Sequence, residues 1–203
     1  MMKKALLSSV GLVVVTVAFS ITGFAQTGPS KEFPGIKIAN FGKMDDRFYR
    51  GERPDENQFA AMASLGIKTI IDVSDDPKPY EKPAVEAAGM RYVYLPIVDK
   101  QPPTEQNIAD FFKIIDDPAT GVFYVHCGGG RHRTGNLGAV YRLQRYGWDF
   151  EKAYKEMKNY DFYSSWGHGK QKDFVIDYFK QMEAKRAEVA AGLAAASAGG
   201  SEN

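Results

Sequence analysis

From residue 36 to residue 187 the chain alternates short apolar β-type runs with stretches whose apolar positions recur at helical spacing. "RFYRG" (47–51) reads as a strand. "DENQFAAMASLG" opens on Asp55 as an N-cap, spaces its apolar residues as a helix does and stops at Gly66. The β-branched run "KTIIDVS" predicts a buried strand, "EKPAVEAAG" a short helix ending at Gly89, and "RYVYLPI" an alternating strand halted at Pro96. Thr104 can cap a helix over "EQNIADFFKIIDD"; "GVFYVHC" then forms a strand with Cys127 at its carboxyl end, and "TGNLGAVYRLQRYG" a helix that stops at Gly147. Helical runs at 149–159 and 170–187 complete the pattern. Strand and helix in succession predict an α/β fold, a mostly parallel central sheet flanked by helices, with ligands collecting beyond the carboxyl ends of the strands.

The two ends differ from this pattern. "MMKKALLSSVGLVVVTVAFSITGFAQ" has two lysines, an uncharged, mostly apolar run, and small residues at Gly23 and Ala25, the features of a secretory signal peptide cleaved after Ala25. The alternative is an uncleaved membrane anchor, since the run is long enough to span a bilayer. Residues 1–25 are therefore read as a signal peptide and the protein as exported, periplasmic or secreted, touching the membrane only if that segment is kept. Residues 26–35 ("QTGPSKEFPG") are a leader into the domain. The tail, 188–203, is small, polar and poor in bulky residues, which predicts a frayed or disordered end.

The 203 residues, 44% of them hydrophobic, suffice for one core and one domain, over 36–187. A formal charge of +1, or −1 once Lys3 and Lys4 are removed, gives no basis for nucleic-acid binding. Any anion site must be local. The single cysteine, Cys127, has no partner for an internal disulfide, so in an oxidising compartment it is either buried or working.

Its neighbours favour work. In "YVHCGGGRHRTG" five residues separate Cys127 from Arg133. Gly128, Gly129 and Gly130 allow the loop to curl until successive backbone N–H groups converge at the positive end of the following helix, an anion nest that fits a phosphate. A thiol at its base meets those N–H groups, the helix dipole and Arg133, all of which favour thiolate. Arg133 can hold two phosphate oxygens with its planar fork. Thr134 can donate to the sulfur or act as the helix N-cap. His126 is expected to point away and organise the loop. Arg131 and His132 form either a solvated face or a cationic rim for a substrate with several negative groups.

Cleaving a phosphate ester also needs a proton for the leaving oxygen. Asp99, in "LPIVDKQPPT", follows a strand and precedes a stiff Pro-Pro pair at the same sheet end as Cys127; otherwise it is a turn residue, and Asp72 is the second candidate. "HCGGGRHRTG" resembles the His-Cys, five-residue spacer, Arg-Thr-Gly signature of the cysteine-based protein tyrosine and dual-specificity phosphatases. "DKQPP" resembles the acid loop of small dual-specificity members. "NFGKMDDRFYRGERPDENQFAAMASLGIKTIIDV" is similar to the opening of the atypical dual-specificity phosphatases of plants and fungi, and exported bacterial tyrosine phosphatases combine a signal peptide with a similar domain. The likeness spans roughly residues 36–185. It implies Cys127 as nucleophile, Arg133 as phosphate ligand and Asp99 as acid and then base, with no cofactor and no metal.

The substrate class implied is a phosphoprotein or a phosphorylated small molecule. Arg131, His132 and Lys100 also suit an inositol phosphate, many plant and fungal members acting on inositol pyrophosphates. A phosphate-binding module without turnover is a third reading, and sulfur transfer a weaker fourth. His126, His132, His168 and Cys127 lack a recognised metal-ligand spacing, and His168 is expected at the surface or in a second layer.

Overall fold

In a computed structural model, residues 33–199 are described; the segment 1–25 read as a signal peptide, the leader up to residue 32 and the last four residues of the tail, 200–203, lie outside them. A five-stranded sheet is built from β1 (Gly42–Lys43), β2 (Phe48–Glu52), β3 (Thr69–Asp72), β4 (Arg91–Tyr94) and β5 (Phe123–Cys127) in the order β1-β2-β5-β3-β4. β2, β5, β3 and β4 run parallel, and β1 adds an antiparallel edge. The helices are α1 (Phe59–Ser64), α2 (Glu81–Ala87), α3 (Glu105–Asp116), α4 (Arg133–Tyr146), α5 (Phe150–Asn159) and α6 (Gly169–Gly199).

Alternation along the strands splits the core in two. Phe48, Ile71, Phe123 and Val125 pack with Phe111 and Leu137 on one face, whereas Tyr49, Ile70 and Tyr124 pack with Phe59, Met62 and Val85 on the other. A third cluster joins α4, α5 and α6 through Leu143, Met157 and Val175. Arg142 of α4 bonds Glu156 of α5 through Nε and Nη2 and reaches the Met44 carbonyl at 2.6 Å, a buried fork tying α4 to α5 and the β1–β2 turn.

Local signals place most of these ends. Thr104 and Asn107 form a reciprocal capping box on α3, and Gly147 closes α4 in the left-handed conformation. Three expectations are corrected. Asp55 occupies an N-cap position, but of a 3-10 turn (Glu56–Gln58), and its side chain caps nothing. Thr134 is not an N-cap, because α4 begins at Arg133 with His132 before it. The segment from 188 continues α6 as helix to Gly199, exposed as far as side chains are described. Its alanines carry the strongest helix propensity, so absence of bulky residues did not mean absence of helix.

Register sets up everything that follows. Glu52 lies opposite Cys127, Asp72 opposite His126, and Tyr94 opposite Asp72. The loops leaving β2, β5, β3 and β4 therefore converge on one edge of the sheet, at the carboxyl ends.

Candidate active site

The loop from Cys127 to Arg133 links the central strand to α4, whose first eleven residues are all buried. Its shape is held from outside through its carbonyls. Asn40 Nδ2 donates to the Gly129 carbonyl at 2.9 Å, the fully buried Arg50 donates to the Gly130 carbonyl at 2.6 Å, and the Arg53 amide reaches the Gly128 carbonyl at 3.4 Å. With the carbonyls drawn outward, the amides are free to face an anion. Gly130 has φ +65°, a left-handed conformation that a side chain disfavours.

Cys127 lies at the base of the loop, 3% exposed. Burial raises its pKa, but the Thr134 hydroxyl and amide, then Arg133 and His126, more than offset this, and the thiol ends below its ordinary value. The Thr134 hydroxyl is buried without an oxygen or nitrogen partner, which leaves it to the sulfur. His126 is wholly buried beneath the nucleophile, its Nε2 2.5 Å from Glu81 and its Nδ1 3.8 Å from Asp72. Burial alone would lower the His126 pKa, but Glu81 and then Asp72 raise it, so this imidazole is held toward its cationic form. Arg53 closes the group, with Nε 3.6 Å from Glu81 and Nη2 bonded to Ser74 at 2.6 Å and to Asp76 at 2.9 Å.

Asp72, Glu81 and His126 have donor atoms within 4.8 Å of one another and form the metal-capable cluster among the described residues. The protein already balances these carboxylates with Arg53 and His126. Glu81→Gln weakens the hold on the imidazolium and thereby on the thiolate. Its expected result is a move of the Cys127 alkylation midpoint to higher pH, with a several-fold loss of kcat/KM on the acid side and recovery at alkaline pH. An unmoved alkylation profile would remove Glu81 from this role.

Asp99, half-exposed, has its carboxylate 3.8 Å from Arg133 Nη2. A residue that the sequence reading passed over stands between them. Asp75, three residues beyond β3, accepts a hydrogen bond from Arg133 Nη1 and another, at 2.8 Å, from the Asp99 amide. Burial works against its charge, but the Asp99 amide and Arg133 prevail and keep Asp75 ionised below the ordinary carboxylate range. It is thus an anchor for the arginine and the Asp99 loop and unsuited to donate a proton near neutral pH. Asp72, the second sequence candidate for that task, is corrected: it is fully buried and its oxygens accept from the Ser74 amide, the Ser74 hydroxyl and Tyr92. No substrate oxygen can reach it.

His132 also departs from expectation. Its ring is buried, stacked on His168 at 3.5 Å with 6° between planes, and bonded to the Tyr163 carbonyl at 3.1 Å. Burial first, then the neighbouring His168, push its pKa down to about 4. The ring is neutral at pH 7 and belongs to the packing behind the loop, so it is no cationic phosphate ligand and no solvated face. His168 is buried beside it. Arg131 is half-buried in the phosphate loop, its Nη2 3.9 Å from Asp161, and Lys100 is exposed in the Asp99 loop, so each of the two loops carries a cation.

Asp75 and Glu81 lie in no motif, and Asn40, Arg50 and Arg53 lie within the family-like stretch 40–73 without their part in holding the loop being readable from it. A further signal is positional: "SDD" (74–76) and Arg53 follow parallel strands, the place where ligand-facing residues gather.

Comparisons with known proteins agree with this geometry. A protein-family model described as "DSP-PTPase phosphatase fused to NAD+ Kinase" matches residues 29–176. A probable tyrosine-protein phosphatase of Dictyostelium discoideum is 31% identical over 131 residues, 62% of this chain and 78% of that protein. An inositol diphosphatase of Arabidopsis thaliana is 30% identical over 112 residues, 52% of this chain and 55% of that one. Among solved structures, the catalytic domain of the yeast PP-IP phosphatase SIW14 superposes with a TM-score of 0.62 at 21% identity, covering 75% of this chain and 95% of that domain, a likeness of fold. With a family match across most of its length and the cysteine loop at the carboxyl end of its central strand, the chain belongs to the cysteine-dependent dual-specificity and tyrosine phosphatases.

Proposed function

We propose that the protein is an exported phosphomonoesterase acting on phosphotyrosine, and to a lesser degree phosphoserine or phosphothreonine, in proteins. The observation that carries it is Cys127, lowered in pKa, at the base of a loop closed by Arg133. The thiolate attacks phosphorus in line while Arg133 and the loop amides hold the equatorial oxygens. The P–O bond breaks and the leaving oxygen takes the proton of Asp99. Water then attacks the phosphocysteine, Asp99 accepts its proton, and the S–P bond breaks to give inorganic phosphate and the thiolate.

A second reading, an inositol phosphate or pyrophosphate as substrate, draws on the Arabidopsis relative and on the cations of the two loops, the half-buried Arg131 and the exposed Lys100. Export separates the two, because an extracytoplasmic enzyme has less access to intracellular inositol pyrophosphates. Support for export is the Lys3–Lys4 pair, the apolar run and the small residues ending at Ala25.

The deciding experiment measures phosphate release, under reducing conditions, from a phosphotyrosine peptide, a phosphothreonine peptide and an inositol pyrophosphate, with Cys127→Ser as blank. The expected order has the phosphotyrosine peptide first. An inositol pyrophosphate preferred by orders of magnitude would establish the second reading, and phosphopeptide binding without release would indicate a binding module. Intact mass of the protein recovered from the cell envelope tests export, with Gln26 expected as the first residue.

A further inference from the structure

The loop that carries Asp99 is a β-turn over residues 98–101, closed by the Gln101 amide on the Val98 carbonyl at 3.1 Å. Its third residue, Lys100, has φ +58°, the left-handed position that a type II turn normally gives to glycine or asparagine. A lysine there is strained, so the turn must be held by its surroundings. One hold is already described, Asp75 on the Asp99 amide. The other comes from the start of α6.

Gln171 Nε2 donates to the Gln101 carbonyl at 3.1 Å, and its Oε1 lies 2.7 Å from His168 Nδ1. Because a carbonyl only accepts, the amide group must face Gln101, which leaves Oε1 for His168 and puts a hydrogen on His168 Nδ1. The same reasoning at the Tyr163 carbonyl puts the hydrogen of His132 on Nε2. The two imidazoles then stack face to face. Asn136, on the first turns of α4, donates to the Gln171 carbonyl at 3.3 Å, so the residue is gripped by side chain and backbone together. Gln171 is fully buried. A continuous path thus runs from the loop residue before Arg133, through His168 and Gln171, to the residue two positions after Asp99.

We propose that Gln171, oriented by His168, is the positioning residue of the Asp99 turn and sets its distance from the phosphate loop through the His132–His168 stack. The inference rests on Asp99 being the general acid. Without Gln171 the backbone of the strained turn keeps one anchor, Asp75, and the carboxyl loses its fixed place over the leaving oxygen. Only proton delivery suffers, because Cys127, Arg133 and the loop amides are supported by other residues.

That separation gives the test. Phenyl phosphate, a poor leaving group, needs the acid; dinitrophenyl phosphate, whose phenolate leaves unaided, does not. In the full-length enzyme, Gln171→Met keeps the volume and loses both side-chain bonds, and Gln171→Glu keeps the acceptor for His168 but cannot donate to Gln101. Both are expected to lower kcat/KM for phenyl phosphate roughly tenfold and that for dinitrophenyl phosphate less than about twofold. Inhibition by inorganic phosphate should be unchanged, which also certifies a folded site in whichever variant is read. Asp99→Asn is run alongside and should show the same selectivity, more strongly.

If Asp99→Asn is selective and both Gln171 variants depress the two substrates equally or not at all, the positioning role is overturned while the acid assignment stands. If Asp99→Asn is itself unselective, the acid assignment fails and the proposal fails with it.

Discussion

Replacing Cys127 by serine is expected to abolish phosphate release, a fall of roughly ten-thousand-fold or more on every substrate. The surroundings of residue 127 explain both the size of the effect and what survives it. Thr134, Arg133 and His126 offset burial far enough to lower a thiol. A serine hydroxyl starts so much higher that the same groups leave it protonated, and no nucleophile forms. The cradle persists, since the carbonyl bonds from Asn40 and Arg50 do not involve the side chain of residue 127. Calorimetric titration with a phosphotyrosine peptide should therefore give affinity within a few-fold of the native enzyme. Residual turnover of more than a few per cent would mean that another group attacks phosphorus.

Gly130→Ala should be nearly as damaging without touching a reacting atom. A β-carbon at this position would lie 2.1 Å from the Gly51 carbonyl carbon and 2.5 Å from the Glu52 nitrogen, both backbone atoms of the neighbouring strand. It would also sit at φ +65°, which alone costs an alanine about 1 kcal/mol. Neither strain can be relieved by a side chain turning aside, so the loop must shift away from β2 and release its bond to Arg50. A displacement of about 1 Å at the phosphate-binding amides costs on the order of a hundredfold in kcat/KM. Gly129→Ala provides the contrast, because its nearest neighbour is the flexible Arg131 side chain at 3.7 Å. The expected order of kcat/KM is native, then Gly129→Ala, then Gly130→Ala far below. Equal effects of the two alanines would show that close approach to β2 is not what requires glycine.

These glycines also show how far the chain could be read unaided. In "CGGG" the three are equivalent, and their chemistry as a flexible phosphate-binding loop is legible; that only Gly130 abuts a neighbouring strand is not. Likewise Thr104 announces the start of α3 and Gly147 the end of α4, because a cap acts within one turn of its own helix. The parallel strands were visible as apolar runs, but β1 is two residues long and leaves no periodic trace. The alanines after residue 188 lack the bulk that marks a packed helix but carry the propensity that extends α6 to Gly199.

The candidate site divides along the same line. Cys127, Arg133 and Thr134 lie within one loop and the turn that follows it, so spacing alone brings them together. Sequence by itself therefore determined the α/β class, the phosphate loop and its thiol, and a nearby candidate acid. Only the tertiary structure decided that Asp75 bonds Arg133 from 58 positions away, that Arg50 reaches Gly130 across 80, and that Gln171 holds the Asp99 turn across 70. It also decided that His132 is a buried, neutral ring. The reason is physical: helical and strand periodicity act between residues a few positions apart. Which charges end up facing one another away from water depends on strand order and register, and these are fixed by the packing of the whole sheet.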